Sequence, residues 1–161
     1  MSVWSALAGG FAGTLVLTST LAGASHLGFT RMDIPFLLGT AFSLDRAKAR
    51  VIGYAVHFAF GCAFALGYYA LFAALGWSTW WLGAVFGVGH ALFAGTALVN
   101  TLLPLIHPRM GSPMTAAADA PLLEPPGFML LNYGLATPIV TVIAHVLYGA
   151  IVGAFVSLAT R

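Results

Sequence analysis

Charged side chains are scarce in this chain of 161 residues, and their scarcity decides its class. Asp, Glu, Lys and Arg make up 6% of the residues, whereas a soluble domain carries about 25%. Six basic and four acidic side chains cannot cover the water-facing surface of a soluble fold of this size. With 60% hydrophobic residues and a mean hydropathy of +0.97, the chain is instead expected to expose much of its surface to lipid.

Three further absences exclude classes of function. Cys62 is the single cysteine, so the chain has no intrachain disulfide and no paired-thiol redox centre. The net charge is only +2, and the sequence has no run of consecutive Lys and Arg and no basic-aromatic stripe, which excludes a nucleic-acid partner. The apolar segments contain no Asp or Glu, so a carboxylate di-metal site and paired-carboxylate catalysis both lack their residues. We therefore expect a protein that is not an enzyme.

Three long segments without any charged residue predict four membrane-spanning helices. These segments are residues 1–30, 51–108 and 125–160. A spanning helix needs about 20 apolar residues, so the middle segment accommodates two helices and the outer segments one each. Helices are expected because backbone polar groups must be paired inside the bilayer. The predicted fold is therefore an all-α, polytopic four-helix bundle forming one transmembrane domain over 1–161, with helices near residues 5–29, 50–75, 80–106 and 136–159.

The distribution of basic residues predicts the orientation. Residues 30–49, with Arg50 directly after them, carry most of the positive charge, and residues 107–135 carry Arg109. Since cytoplasmic loops are enriched in Lys and Arg, we expect both loops in the cytoplasm and both termini outside, in a cell inner membrane. All tryptophans belong to the opposite end, where they predict an interfacial belt: Trp4, Trp77, Trp80 and Trp81.

Five short matches in the same order predict an internal duplication. The clearest are Phe11-Ala12-Gly13-Thr14 with Phe93-Ala94-Gly95-Thr96, and His57-x-x-Phe60-Gly61 with His145-x-x-Tyr148-Gly149. The repeats would cover about residues 5–75 and 80–159, each with two spans, and would form a parallel repeat about an axis along the membrane normal. The alternative is convergent composition of closely packed helices. Glycines spaced four apart predict tight helix packing, either within the chain or between copies of it.

Histidines are the main candidate functional residues. His57 and His145 occupy matched positions, about 10 Å inside the loop-side ends of their helices. One hypothesis is that they face each other and bind haem iron or another metal, because imidazole is a good ligand for both. The simpler interpretation is that they pair with carbonyl groups of neighbouring helices and that no cofactor binds. Further candidate ligands, suited to copper, lie near the same ends: His26, His107, Met32, Met110 and Met114.

The remaining polar residues and the loops support weaker hypotheses. Thr18, Asn100 and His90 could line a polar path for a substrate, although threonines in helices usually bond to their own helix carbonyls. Residues 33–44 begin with an Asp-x-Pro helix start and are apolar, which predicts a short interfacial helix lying on or dipping into the headgroups. The proline-rich loop 107–135, which includes Pro113 and Pro121, predicts an ordered, non-helical cap, with a mobile excursion as the alternative.

The segments Arg31–Gly39, Val56–Gly61 and Ala144–Gly149 carry a resemblance. Their pattern is Arg-Met-Asp-Ile-Pro-x-Leu-Leu-Gly, then Val-His-Phe-x-x-Gly, then Ala-His-x-x-Tyr-Gly. It resembles an uncharacterised family of small bacterial four-helix inner-membrane proteins, described only as a domain of unknown function. The resemblance extends over nearly the whole chain. It implies a four-helix inner-membrane protein and brings no activity.

Three functions are compatible with these features. The first, which needs no chemistry that the sequence lacks, is a non-catalytic accessory or structural subunit that packs against itself or a larger membrane complex. The second is a redox or metal-binding bundle using His57 and His145, with haem or copper as the cofactor. The third is a small carrier built from the parallel repeat, with the polar residues along its path.

Overall fold

The computed structural model describes residues 1–110 and 123–159, and within them the chain is helical without β-strands. Its long helices and short connecting helices follow one another in a simple order. They are α1 (Val3–His26), α2 (Ile34–Gly39), α3 (Arg46–Leu75), α4 (Trp80–Phe93), a π-helical segment (Ala94–Leu102), α5 (Leu103–Ile106), a 3-10 helix (Phe128–Tyr133) and α6 (Thr137–Leu158).

The predicted four spans are confirmed. Helices α1, α3 and α6 are each long and apolar enough to cross a membrane, as is the continuous run Trp80–Ile106, here called the third span. Local signals explain where they begin and end. Asp45 and Thr79 accept hydrogen bonds from the amides of Lys48 and Leu82, capping α3 and α4. Gly76 ends α3 in the left-handed conformation, which glycine adopts without strain.

The four spans pack in a row rather than in a closed ring. Helix α1 packs against α3 on one side and α6 on the other, and α6 packs against the third span. Helix α3 and the third span, at the two ends of the row, meet mainly through side chains near the Trp80 end. Phe72 lies 5.3 Å from Phe86 and Tyr68 lies 5.8 Å from Phe86, measured between ring centroids. A gap is left between the two helices on the loop side.

Glycines allow the closest of these crossings. A methyl group on Gly83 would overlap the carbonyl oxygen of Gly149, and one on Gly149 would overlap that of Gly83. Gly61 meets the side chain of Thr14 in the same way. Since lipid offers little hydrophobic force between helices, close backbone approach supplies the attraction through dispersion contacts. These glycine faces are therefore directed at neighbouring helices of the same chain.

The internal duplication stays a prediction, and the packing around its matched residues is not symmetric. Gly61 lies against Thr14, but its counterpart Gly149 lies against Gly83 instead of the matched Thr96. An axis relating the two halves would also pair the α1–α6 contact with one between α3 and the third span. The α1–α6 contact is closely packed, whereas a gap is left between α3 and the third span.

Helix α2 crosses α3 closely and does not stand free on the surface. Gly39 approaches the backbone of Ala49, and Gly53 approaches the backbone of Pro35, leaving no room for a side chain at either glycine. The helix begins where predicted, with Asp33 accepting a hydrogen bond from the amide of Phe36 at 3.0 Å. It ends at Gly39, earlier than the predicted residue 44, because residues 40–42 turn instead of continuing the helix.

The loop before α6 contains a short helix that the proline content did not predict. Phe128–Tyr133 forms a 3-10 helix in which Met129 and Leu130 have positive φ values of 51° and 65°. Met129 packs against Gly95 of the π-helical segment, and Leu130 is fully buried. The expected non-helical cap is therefore wrong for this part of the loop. Pro113 and Pro121 lie outside the described residues.

Candidate functional site

The gap between α3 and the third span encloses a cavity of about 340 Å³. Aliphatic and aromatic side chains form most of its wall, and none of the described residues that line it is Asp, Glu, Lys, Arg or Cys. Val56 and Phe60 of α3 face Leu98 and Leu102 of the third span. Its size and apolar wall are typical of sites for small, apolar ligands.

Side chains of α2 and its flanking residues form the loop-side end of the cavity. Ile34, Leu38 and Phe42 contribute to this wall, together with Leu130 from the 3-10 helix. The two loops are tied together by Arg31. Its amide donates to the carbonyl of Tyr133 at 2.8 Å, and its guanidinium donates to the carbonyl of Asn132 at 2.6 Å. These bonds hold the loop segments that close this end.

The inner end of the cavity is formed by histidines from three different spans, His57, His90 and His145. The ring centroids of His90 and His145 are 4.7 Å apart and nearly perpendicular. The hydroxyl of Tyr68 hydrogen-bonds to Nδ1 of His90 at 3.4 Å. Nδ1 of His145 is 2.8 Å from the carbonyl oxygen of Thr141, and because that oxygen can only accept, Nδ1 carries the proton. Nε2 of a neutral His145 is therefore an acceptor.

Two polar atoms at this inner end have no hydrogen-bond partner. They are Nε2 of His57 and Oγ1 of Thr141, and both atoms are buried. A buried polar atom without a partner costs about 1–3 kcal/mol, so such atoms are rare and frequently mark sites where water or a ligand completes the bonding. Both residues line the cavity. Among the lining residues that the structure describes, the unpartnered side-chain atoms thus lie at the inner end.

The sequence placed His57 and His145 in one site, and the structure brings both to the same cavity, with His90 beside them. The described residues contain no group of three or more His, Cys, Asp or Glu side chains arranged to hold a metal ion. The haem or metal role of the pair stays a prediction.

The predicted loop-side ligands are in different surroundings, although Met32 and His107 both line the main cavity. His26 is exposed, whereas Met32 and Met110 are buried among core residues. Both ring nitrogens of His107 are already used: Nε2 donates to the carbonyl of Leu37 at 3.1 Å, and Nδ1 accepts from the amide of Arg109 at 3.2 Å. In this conformation no lone pair of the His107 ring is left for a metal, and its role as a ligand stays a prediction. Met114 lies outside the described residues.

His107 instead joins the end of the third span to α2. Burial lowers its pKa below the usual value of about 6.5, and the nearby Arg109 lowers it further, while the bond to Leu37 acts in the opposite direction. The neutral ring is thus the form that the fold favours. Protonation would remove the lone pair that accepts from Arg109. The contribution of His107 to stability is therefore complete above pH 6.5 and is lost as the pH falls below that value.

We predict that amide hydrogens of α2 exchange faster at about pH 5 than at pH 7.5, after correction for the intrinsic exchange rate. Hydrogen exchange of the protein in lipid nanodiscs, followed by mass spectrometry of the peptide covering Ile34–Gly39, measures this. In the variant His107→Ala the same peptide should exchange rapidly at both pH values. If the wild-type peptide shows no pH dependence, protonation of His107 does not release α2.

The residues of the predicted polar path do not line one common cavity. His90 lines the main cavity, but Asn100 lies on an exposed face. Thr18 donates to the carbonyl of Thr14 at 2.7 Å, as is usual for threonine in a helix, and it lines a second cavity of about 260 Å³ between α1, α2 and α3. His57 lines both cavities. Arg50 and Asp33 of the second cavity form an exposed ion pair at 3.0 Å.

Sequence reasoning did not select the residues that complete the inner end of the main cavity. Tyr148 is fully buried, and its hydroxyl donates to the carbonyl of Gly61 at 2.5 Å. Thr14 and Thr141 also line the cavity. A signal existed for Tyr148, since it belongs to the repeated His-x-x-aromatic-Gly motif. No sequence pattern indicated Thr141, because what distinguishes this residue is that its hydroxyl has no hydrogen-bond partner.

Comparisons with protein-family models, with curated proteins and with solved structures find no match for this chain.

Proposed function

We propose that this chain is a non-catalytic multi-pass membrane protein that binds a neutral, bilayer-dissolved molecule between α3 and the third span. The observation that supports the proposal most is the apolar cavity of about 340 Å³, at whose inner end two described lining residues carry buried polar atoms without a partner. This arrangement matches an elongated molecule with one polar end. The apolar remainder of the molecule would lie along the aliphatic wall.

The sides of the cavity support entry from the bilayer. Phe60 is 49% exposed and Leu102 is 45% exposed, although both also line the cavity. Ile106 at the loop-side end of the third span is 76% exposed and lines it as well. The cavity wall therefore continues onto the surface that faces lipid. A molecule dissolved in the bilayer could enter between the two helices without crossing water.

The lining supports binding rather than catalysis. Its described residues include no carboxylate, lysine or thiol that would act as a nucleophile or as a strong acid or base. The protein would hold the molecule for a partner, as an accessory or structural subunit of a membrane complex or as a homo-oligomer. In that role the open face between α3 and the third span would be the place where a partner receives or delivers it.

The proposal predicts that the protein retains neutral lipid during purification in mild detergent. Native mass spectrometry should show about one bound neutral molecule per chain, in keeping with a single cavity of this size. Organic extraction and a second mass measurement then identify the molecule. Retention of phospholipid only, in variable amounts, would contradict the proposal, since that is the result for lipid on the outer surface of any membrane protein.

The site is further proposed to lie nearer the cytoplasmic side of a cell inner membrane. The basic residues of the two long loops support this orientation, as do the exposed tryptophans at the opposite end. An alkaline phosphatase fused after Arg161 should be active, and one fused after Ser43 should be inactive. The reverse pattern would place the loops outside the cell.

Haem binding is the second candidate, and the hydrogen bond of His145 Nδ1 to the carbonyl of Thr141 supports it, because this bond orients the ring and leaves Nε2 as a possible ligand. An absorption spectrum of the purified protein separates it from the first. A Soret band that disappears in the variant His145→Ala would favour haem. A featureless visible spectrum together with retained neutral lipid would favour the first candidate.

A further inference from the structure

The absence of charge around the cavity limits the polar end of a bound molecule. A carboxylate or a phosphate at the inner end would lie among His57, His90 and His145 with no cation in the lining to pair with it. Burying an unpaired charge in such surroundings is costly. Arg50 is in the second cavity, where Asp33 already pairs with it. The polar end is therefore neutral, which excludes fatty acids and isoprenoid phosphates.

Aromatic rings from three spans surround the inner end. The ring of Phe64 lies 4.1 Å from that of His90, and His90 lies 5.7 Å from Tyr148, measured between centroids. Phe64, His90 and Tyr148 all line the cavity, so this end of its wall is aromatic. A flat ring gains stacking and edge-to-face contacts against such a wall. A polar end without a ring would gain less from these aromatic contacts.

The two unpartnered polar atoms at this end belong to different spans. His57 belongs to α3, whereas Thr141 and His145 belong to α6. Nε2 of His57 and Oγ1 of Thr141 can both donate, and Nε2 of His145 accepts. A ring with an oxygen at each of two opposite positions would meet partners from both helices. An alcohol, with a single oxygen, would satisfy only one side.

These observations point to one ligand class, and we propose that the cavity binds an isoprenoid quinone or its quinol. The ring lies among His57, His90, His145 and Tyr148, and the isoprenoid tail passes between α3 and the third span toward the bilayer. Nε2 of His57 and Oγ1 of Thr141, which have no partner in the free protein, would donate to the ring oxygens. This inference rests on the proposed function, and it concerns binding alone.

The test uses ubiquinone with two isoprene units as the probe and farnesol as the comparison, each titrated calorimetrically into the protein in nanodiscs. Farnesol has an isoprenoid chain and a neutral hydroxyl but lacks the ring. We expect the quinone to bind at least about tenfold more tightly, since it gains a second hydrogen bond and the ring contacts. Equal affinities would overturn the quinone assignment while leaving the proposed function intact. Binding of neither molecule would contradict both.

The variant Thr141→Val locates the ring. Valine has nearly the shape of threonine, so it removes a hydroxyl that has no partner in the free protein. The free protein should melt at the same temperature or higher, whereas affinity for the quinone should fall about fivefold, the value of one hydrogen bond. Thr20→Val is the matched control, because Thr20 is on α1, bonds to the carbonyl of Val16 and lines neither cavity.

A second variant, His57→Leu, should weaken quinone binding about tenfold and leave farnesol binding nearly unchanged. If the quinone binds both variants as tightly as wild type, its ring does not lie at the inner end and the proposal is wrong. Because the melting temperature of each free variant is measured in the same samples, a loss of binding through misfolding is recognised directly.

Discussion

Gly83→Ala is expected to destabilise the folded chain by about 3 kcal/mol, the upper part of the range for overpacked sites. The added methyl group would overlap the carbonyl oxygen of Gly149, which belongs to the backbone of α6 and has no rotamer to change. This overlap can be relieved only if α4 and α6 move apart along their whole crossing. Gly87 lies against the backbone of His145 one turn away, so separation would also displace a residue of the cavity.

The matched control is Gly89→Ala, on the same helix. A methyl group on Gly89 would meet no neighbouring atom within 4 Å, so this variant should be neutral or slightly stabilised through the helix preference of alanine. Thermal unfolding in detergent, followed by circular dichroism, compares the two. Equal melting temperatures for both variants would show that α4 and α6 are not in close contact at Gly83.

The spans could be predicted because their cause is local. A run of about 20 residues without charge is sufficient evidence for a membrane helix, and Asp45 and Thr79 mark helix starts by their own side chains. The predicted boundaries near 50–75 and 80–106 consequently lie within a few residues of Arg46–Leu75 and Trp80–Ile106. The same holds for Asp33, whose position before Ile34 and Pro35 indicates the start of α2.

The order in which the spans pack could not be predicted. Every span is apolar all round, so there is no polar face to indicate which side is directed outward. Glycines at a spacing of four predict close approach but do not identify the partner. Gly61 and Gly149 occupy matched positions in the sequence and yet contact different elements. The gap between α3 and the third span, and with it the cavity, results from which helices pack against each other.

The π-helical segment is a second feature without a sequence signal. Ala94–Leu102 contains ordinary helix residues, and π-helices of this length are rare. Its position has a tertiary explanation, since Met129 of the 3-10 helix packs against Gly95 at the start of the segment. Ala94, Leu98 and Leu102 then line the cavity. A wider helical turn thus occurs where the third span borders the site, as is frequent for π-helices.

The candidate site was predictable where repetition marked it. His57 and His145 were selected because they recur in the same motif, and both line the cavity. His107 was selected for its residue type and its position near a helix end, and its partners are the carbonyl of Leu37 and the amide of Arg109. Backbone partners from a distant element leave no trace in the sequence. Thr141 was not selected for the related reason that an absent hydrogen bond cannot be inferred from residue type.

Val56→Phe should abolish retention of the neutral molecule, reducing it to less than about a tenth of the wild-type amount, because losing one pocket of apolar contacts changes affinity by several kcal/mol. Val56 lines the cavity and faces Leu98 and Leu102, so a phenyl ring there occupies space proposed for the apolar part of the ligand. The ring is apolar and enters an existing void. Stability should therefore change by less than about 1 kcal/mol.

Val51→Phe is the matched control for this variant. Val51 is on the same helix, 71% exposed, and lines neither cavity, so its phenyl ring should face lipid and leave retention unchanged. Native mass spectrometry of both variants, purified in parallel, gives the ratio of bound to free protein. If Val56→Phe retains the molecule as well as Val51→Phe does, the ligand is held elsewhere on the protein. Loss in the first variant alone ties binding to the space between α3 and the third span, since both variants add the same ring to the same helix.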